Sequence, residues 1–168
     1  MKMRILLSLI FVCLAALALA LTGEKQVRAT VEIEAPAPLI WSVLTDGARY
    51  SEWNPIFVDV AGDYGEGQTI RCRRKDADGE RADVQFTIRD MRESEFLRQE
   101  GGAPLVFTYD HRWSLEPYDG GTRVTQHEVF RGLGVWFWNP TYLKTAYVEA
   151  NTALNAQVMS LQNGQLPQ

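Results

Sequence analysis

Leu143-Lys144-Thr145-Ala146-Tyr147-Val148-Glu149-Ala150-Asn151-Thr152-Ala153-Leu154-Asn155-Ala156-Gln157-Val158-Met159-Ser160-Leu161 sets Leu143, Tyr147, Ala150, Leu154, Val158 and Leu161 three, four or seven residues apart. That spacing draws one apolar stripe along a helix of about twenty residues. Asn139 reads as its cap and Pro140 as its first helical residue, with Gly164 and Pro167 beyond its end. Upstream the period changes. Gln26 to Ile33 alternates, with Val27, Ala29, Val31 and Ile33 on one face, and forms the first strand. Ala35-Pro36-Ala37-Pro38 breaks it and opens a short helix carrying Leu39, Ile40, Val43 and Leu44. Thr45-Asp46-Gly47 ends that helix, Asp46 reads as the cap of a second one reaching Trp53, and Asn54-Pro55 stops it.

From Ile56 to Arg131 the chain reads as strands. Turns are expected at Gly62 to Gly67, Asp76 to Gly79, Arg92 to Ser94, Gly101-Gly102 and Asp119-Gly120-Gly121. The C-terminal helix has no short partner helix to pack on, so its stripe must lie on the sheet. The expected fold class is α+β: a curved antiparallel β-sheet wrapped around a long C-terminal α-helix, with two short helices after strand 1. A twisted sheet meets a single helix along only part of its length, and the remainder becomes a cavity.

Composition fits this picture. The 168 residues are 46% apolar, 11% aromatic and 23% charged, enough for one packed domain. The formal charge is −4 and the longest basic patch, Arg71 to Lys75, is interrupted by Cys72, so nucleic acid is not an expected partner. The N-terminus has the three-part pattern of an export signal: Lys2 and Arg4, an apolar run from Ile5 to Leu21, and Ala18-Leu19-Ala20 as a small-x-small site. We expect residues 1–20 to be a signal cleaved after Ala20. The alternative is an uncleaved anchor spanning residues 5–21, which would bring the domain close to a membrane. Either way residues 24–163 form an exported domain, periplasmic or extracellular. Loss of Lys2 and Arg4 would take the 17 basic residues to 15 against 21 acidic, a net charge of −6. Cys13 lies in the apolar run, so Cys72 remains without a disulfide partner and reads as a small buried residue.

Leu105, Phe107, Tyr109, His111, Trp113 and Leu115 share one strand parity, which we take as the inward face. His111 is the one ionisable ring on that wall. With the Asp119-Gly120-Gly121 turn as centre, the hairpin pairs Leu115 with Val124, Trp113 with Gln126 and His111 with Glu128. An imidazole and a carboxylate would then meet in an apolar cavity, ionised together, sharing a hydrogen bond with a ligand, or simply pinning two strands. His127 has the opposite parity and faces solvent. The candidate ligand-binding residues are Phe86, Phe107, Tyr109, His111, Trp113, Gln126, Glu128 and Asn151, the last on the helix just off its apolar stripe. His111 and Glu128 are the candidate catalytic pair.

No cofactor is implied, and no Cys/His cluster suggests a metal. Asp76-Ala77-Asp78-Gly79 resembles the start of a calcium loop but lacks the downstream Glu, so a hairpin turn is the simpler reading. Val135-Trp136-Phe137-Trp138 reads as core packing at the end of the cavity, with a lid, a membrane-contact patch or a protein-partner surface as alternatives.

Three blocks carry a family resemblance. They are Ile33-Glu34-Ala35-Pro36-Ala37 through Ile40-Trp41-Ser42-Val43-Leu44-Thr45-Asp46 to Tyr50-x-x-Trp53-Asn54-Pro55; His111-x-Trp113-x-Leu115-Glu116-Pro117 with Gly120 to Gly132; and Asn151-x-Ala153-Leu154. The chain resembles the SRPBCC (START-like, helix-grip) superfamily, in its polyketide cyclase/dehydrase or lipid-transport-like branch, over roughly residues 26–161. Asn155 stands where that family usually has Lys, a difference on the helix surface. The resemblance implies a helix-grip fold with a pocket for an apolar or amphipathic small molecule, and places His111 and Glu128 among recurring polar positions. It names a container rather than a reaction. The expected function is an exported protein that holds a hydrophobic small molecule, such as a lipid, isoprenoid or polyketide-like compound. The alternative is a cyclase/dehydratase-type enzyme with His111 as acid or base and Glu128 orienting its ring.

Overall fold

The computed structural model describes residues 2–75, 79 and 81–164. In chain order it contains α1 (Lys2–Thr22), β1 (Glu24–Ile33), α2 (Ala37–Thr45), a 3-10 turn (Gly47–Arg49), α3 (Tyr50–Trp53), β2 (Phe57–Ala61) and β3 (Thr69–Lys75). There follow β4 (Arg81–Arg92), β5 (Phe96–Ala103), β6 (Phe107–Tyr118), β7 (Gly121–Arg131), a second 3-10 turn (Leu133–Phe137) and α4 (Thr141–Gln162). The strands form one antiparallel, curved sheet in the order β1-β7-β6-β5-β4-β3-β2, so the first strand pairs with the last. This is the helix-grip arrangement, α+β, with α4 lying on the concave side.

The residues explain the joints. Pro36 and Pro38 occupy the start of α2, where a missing N–H costs nothing. Asp46 does not cap the next helix with its side chain, contrary to expectation; its backbone carbonyl accepts from Arg49 N–H at 3.2 Å instead, closing the 3-10 turn. Asn54 Oδ1 accepts from the N–H groups of both Ile56 and Phe57 at 2.9 Å, an Asx turn that ends α3 and launches β2. Pro140 sits at the cap position and α4 starts one residue later, with Asn139 Oδ1 accepting from Thr141 N–H at 3.1 Å.

α4 buries Leu143, Tyr147, Ala150, Leu154 and Val158 as the stripe requires, together with Asn151 and Gln157. The helix does have a short partner: α2 packs on it as well as β1. Two apolar clusters result. Ile40, Leu44, Leu97, Trp113, Leu115, Val124, Leu154 and Val158 belong to the cluster under α2 and the second half of α4. Val27, Ala29, Phe130, Val135, Leu143, Tyr147 and Ala150 belong to the other, under the first half. Leu154 is wholly buried, and burial of that side chain stabilises the fold by about 2 kcal/mol.

Two expectations about the strands change. The turn after β5 lies at Pro104-Leu105-Val106, not at Gly101-Gly102, which stay in the strand. Leu105 is therefore an exposed turn residue with φ +65° rather than part of the inward wall. Gly101 serves close approach: a Cβ there would strike the Tyr109 side chain. Asp76-Ala77-Asp78 falls outside the described residues.

Candidate functional site

The gap between the two clusters is where the polar groups gather. Strand β6 turns His111 inward between Trp113 and Tyr109, β7 turns Gln126 and Glu128 inward between Val124 and Phe130, and α4 supplies Tyr147 and Asn151. The β6–β7 register is Leu115↔Val124, Trp113↔Gln126 and His111↔Glu128, set by a tight turn at Asp119-Gly120. Inversion of parity places His127 at the surface side, with its ring 3.1 Å from Gln26 Oε1.

His111 and Glu128 face the same space but bond different partners. Gln126 commits its amide nitrogen to Asn151 Oδ1 at 2.6 Å and to the Tyr147 carbonyl at 3.4 Å, so its oxygen accepts from His111 Nε2–H at 3.3 Å. On the other side of the ring the Gln99 carboxamide lies 3.2 Å from Nδ1. The structure places Gln99 Oε1 there; a neutral imidazole offers one donor and one acceptor, so with Nε2–H donating to Gln126 we assign the Gln99 amide the reverse orientation, NH2 toward Nδ1. Burial holds the His111 pKa down to about 4, which makes the ring neutral at pH 7. The ring stacks edge-on with Trp113 and Tyr147, at 5.5 and 5.7 Å between centroids. The buried Asn151 NH2 finds no acceptor among the described residues.

Glu128 is hydrogen-bonded by the Tyr147 hydroxyl. Burial pushes its carboxyl up to about 8, opposed by the Arg74 guanidinium and reinforced by Asp110. It is thus protonated at neutral pH, and the site contains an uncharged imidazole and an uncharged carboxyl rather than an ion pair.

Two neighbouring spaces share Tyr109, Glu128 and Tyr147 in their linings. The inner one is a hollow of about 40 Å³, lined by Phe86, Gln99, Tyr109, His111, Trp113, Gln126, Glu128 and Tyr147 together with Tyr50, Tyr64 and Cys72. It is large enough for one or two waters. The outer one is an open cleft of about 310 Å³ walled by Phe57, Phe107, Tyr109, Phe130, Trp138, Tyr142 and Leu143, with Arg74 on its lining and Glu128 and Tyr147 at its floor. Trp138 organises that wall, with its ring 4.5 Å from Phe130, 5.2 Å from Phe107 and 6.4 Å from Tyr142. Tyr109 spans both spaces and its hydroxyl donates to the Gln85 carbonyl at 2.6 Å.

Six of the eight expected ligand-binding residues line the inner hollow together, Phe107 belongs to the outer cleft alone, and Asn151 lines neither, acting through Gln126. Gln99, Tyr147 and Arg74 complete the site and were not singled out from the sequence. The shared parity of Gln99 with inward Leu97 is the signal that marks it. Cys72 is buried, with its thiol pushed up to about 11, and is no nucleophile.

A family model described as polyketide cyclase / dehydrase and lipid transport matches residues 24–158. No curated protein matches the chain. Among solved structures, a Rhodobacter sphaeroides protein superposes with TM-score 0.69 at 15% identity, covering 82% of this chain and 93% of that one. The ZhuI aromatase/cyclase from Streptomyces sp. R1128 gives 0.65 at 22% identity, covering 82% and 94%. Ara h 8.0201 gives 0.65 at 16% identity, covering 82% and 99%. At these identities the likeness is one of fold.

Proposed function

Since the chain belongs to the polyketide cyclase / dehydrase and lipid transport family, and so to the SRPBCC superfamily, we propose that its domain holds a small hydrophobic or amphipathic molecule in the cleft between the sheet and α4. The observation that carries this is the aromatic cleft of about 310 Å³ with few polar groups at its floor, at the lower end of the size usual for small-molecule sites. Such a guest lays its apolar body against Phe107, Phe130 and Trp138 and directs a polar end toward Tyr147, Glu128 and Arg74. A lipid, an isoprenoid or a polyketide-like compound has this character. We place the domain outside the cytoplasm, with Lys2–Thr22, long and apolar enough to cross a membrane, as export signal or anchor.

Native mass spectrometry of the purified protein tests the reading, backed by titration with an apolar fluorescent probe. A co-purifying apolar mass, or saturable probe binding weakened by Trp138→Ala, is the expected result. Neither a bound mass nor saturable binding overturns it.

One observation favours a second, catalytic reading of the same space: Glu128 is a neutral carboxyl poised near 8, with Tyr147 beside it, on the floor of the cleft. A general acid for a cyclisation or dehydration needs those properties. The imidazole is less suited to the part, since both its nitrogens are engaged by glutamine side chains. Conversion of the co-purified compound by the wild type and not by Glu128→Gln would support this reading; an unchanged compound in both would end it.

A further inference from the structure

The strongest unexplained feature is a cluster of bare apolar side chains at one end of the domain. Leu105 is 52% exposed, Val106 61%, Trp136 52% and Phe137 83%. They come from two separate turns, the β5–β6 connection and the 3-10 turn before α4. Those turns are locked together, because Leu133 N–H donates to the Leu105 carbonyl and Gly134 N–H to the Val106 carbonyl, both at 2.9 Å. Val135, in the same 3-10 turn, is 1% exposed and anchors it to the core, so the outward display of Trp136 and Phe137 is a fixed geometry. The expectation that Val135 to Trp138 packs as a block in the core holds only for Val135 and, in part, Trp138.

The same end receives α1. Trp136 Nε1–H donates to the Leu19 carbonyl at 2.9 Å, and Gly132 N–H donates to the Gly23 carbonyl at 3.1 Å. Gly23 is the only residue between the helix and β1, and a Cβ on it would collide with the Gly132 carbonyl oxygen and the Trp136 indole. The helix therefore continues without a break through Ala20 to Thr22 and leaves the domain beside the bare cluster. Its 21 residues rise about 31 Å, the thickness of a bilayer's hydrocarbon core. A helix that ends at the surface of a membrane carries whatever adjoins its last turn to the same surface.

We propose that α1 is retained as an anchor and that Leu105, Val106, Trp136 and Phe137 rest in the interface of the bilayer it crosses, so that the ligand cleft opens toward lipid. Two of the four patch residues adjoin cleft wall residues: Val106 precedes Phe107, and Phe137 precedes Trp138. Tyr142, 41% exposed, lines the cleft mouth and completes the aromatic rim. Trp and Tyr are the residues that settle at the headgroup level, one end apolar and the other wet. The chain carries a net negative charge, so contact of this kind is apolar rather than electrostatic and needs no anionic lipid. Lys2 and Arg4 at the far end of α1 place that end on the cytoplasmic side and the domain on the other. The inference rests on the proposed cleft only for the source of the ligand; the contact itself is independent of it.

The test uses the full chain reconstituted in phosphatidylcholine vesicles, with and without bromine on the acyl chains, and reads tryptophan emission. Brominated lipid is expected to quench a fraction of the emission that falls by half or more in Trp136→Phe, at low and high salt alike. Phe137→Asp, which leaves α1 intact, is expected to reduce the quenching while the protein still resists alkaline extraction. Equal emission in both lipids from firmly inserted protein overturns the contact. So does cross-linking of two copies through the patch, and a chain that purifies from membranes beginning at Leu21 overturns the anchor. Binding of an apolar probe to the same vesicles is measured in parallel: its loss with quenching preserved removes the cleft reading and leaves the surface standing.

Discussion

The inner hollow and the outer cleft share Glu128 and Tyr147 yet are built on opposite plans. Around His111 each polar side chain is tied to another, Gln99 to the ring, the ring to Gln126 and Gln126 to Asn151, in a volume of about 40 Å³. Around Trp138 the walls are rings packed at tilted and edge-on angles, the volume is about 310 Å³ and the few polar groups lie at the floor. A linked buried network specifies geometry, because losing one member weakens the hold on the others, although the Asn151 NH2 is left over here. An apolar wall with spare room leaves its contacts to be made by a guest. The hollow lies between the two core clusters, then, and the cleft is where we propose that the guest binds.

The largest expected effect breaks the inner side of this contrast. Gln126→Leu leaves Asn151 without a side-chain partner and His111 with Gln99 alone, and should lower the free energy of unfolding in urea by about 2–3 kcal/mol. A loss below about 0.5 kcal/mol would mean that the network has no structural role.

Glu128→Gln comes next and works in the opposite direction. The folded chain keeps the Glu128 proton up to about 8, whereas an unfolded chain releases it near 4.5. Between these values the native state binds more protons, so wild-type stability falls as pH rises and the penalty is complete above 8. The variant should be more stable, by on the order of 2–3 kcal/mol at pH 9 after the amide's own desolvation is offset, with no gain at pH 4. An infrared band of a protonated carboxyl that disappears in the variant is the direct check.

His111 supplies the complementary slope. Its folded pKa lies near 4 against 6.5 when exposed, so stability falls as pH drops through that window. His111→Gln should flatten the acid limb of Tm against pH.

The outer side is sharpened by Trp138→Ala, which should weaken probe binding about tenfold, or ~1.4 kcal/mol. Its effect on probe affinity should exceed that of any change at Gln99. The smallest effect is Arg74→Gln: without the guanidinium, the infrared titration of Glu128 should move up by a few tenths of a pH unit. A downward move would show that Arg74 does not face the carboxyl.

How much of this the sequence carries depends on the distance over which a signal acts. The hairpin register is local: a tight turn centred at Asp119-Gly120-Gly121 counts outward to His111↔Glu128 without knowledge of the remainder. The α4 stripe is local too, and it comes out nearly whole. Gly101-Gly102 misleads because glycine has two uses, bending a chain and admitting a neighbour, and here it admits the Tyr109 ring. Tyr147 reads as one more apolar step on a helix. Its bond to Glu128 depends on how α4 is rotated against β7, which periodicity does not encode. Arg74 likewise reads as one member of a basic surface run, since only the curl of the sheet carries β3 round to the cleft.

One pairing has a further outcome during synthesis. Glu24 lies opposite Arg131 and Ile33 opposite Thr122, so the opening strand waits for a mate about 90 to 110 residues later. No partial product that lacks β7 can pair β1, and ladders of such long sequence separation form slowly. A nascent polypeptide of that kind keeps its first strand unpaired until β7 has been made, and an unclosed chain is the state a narrow translocation channel accepts.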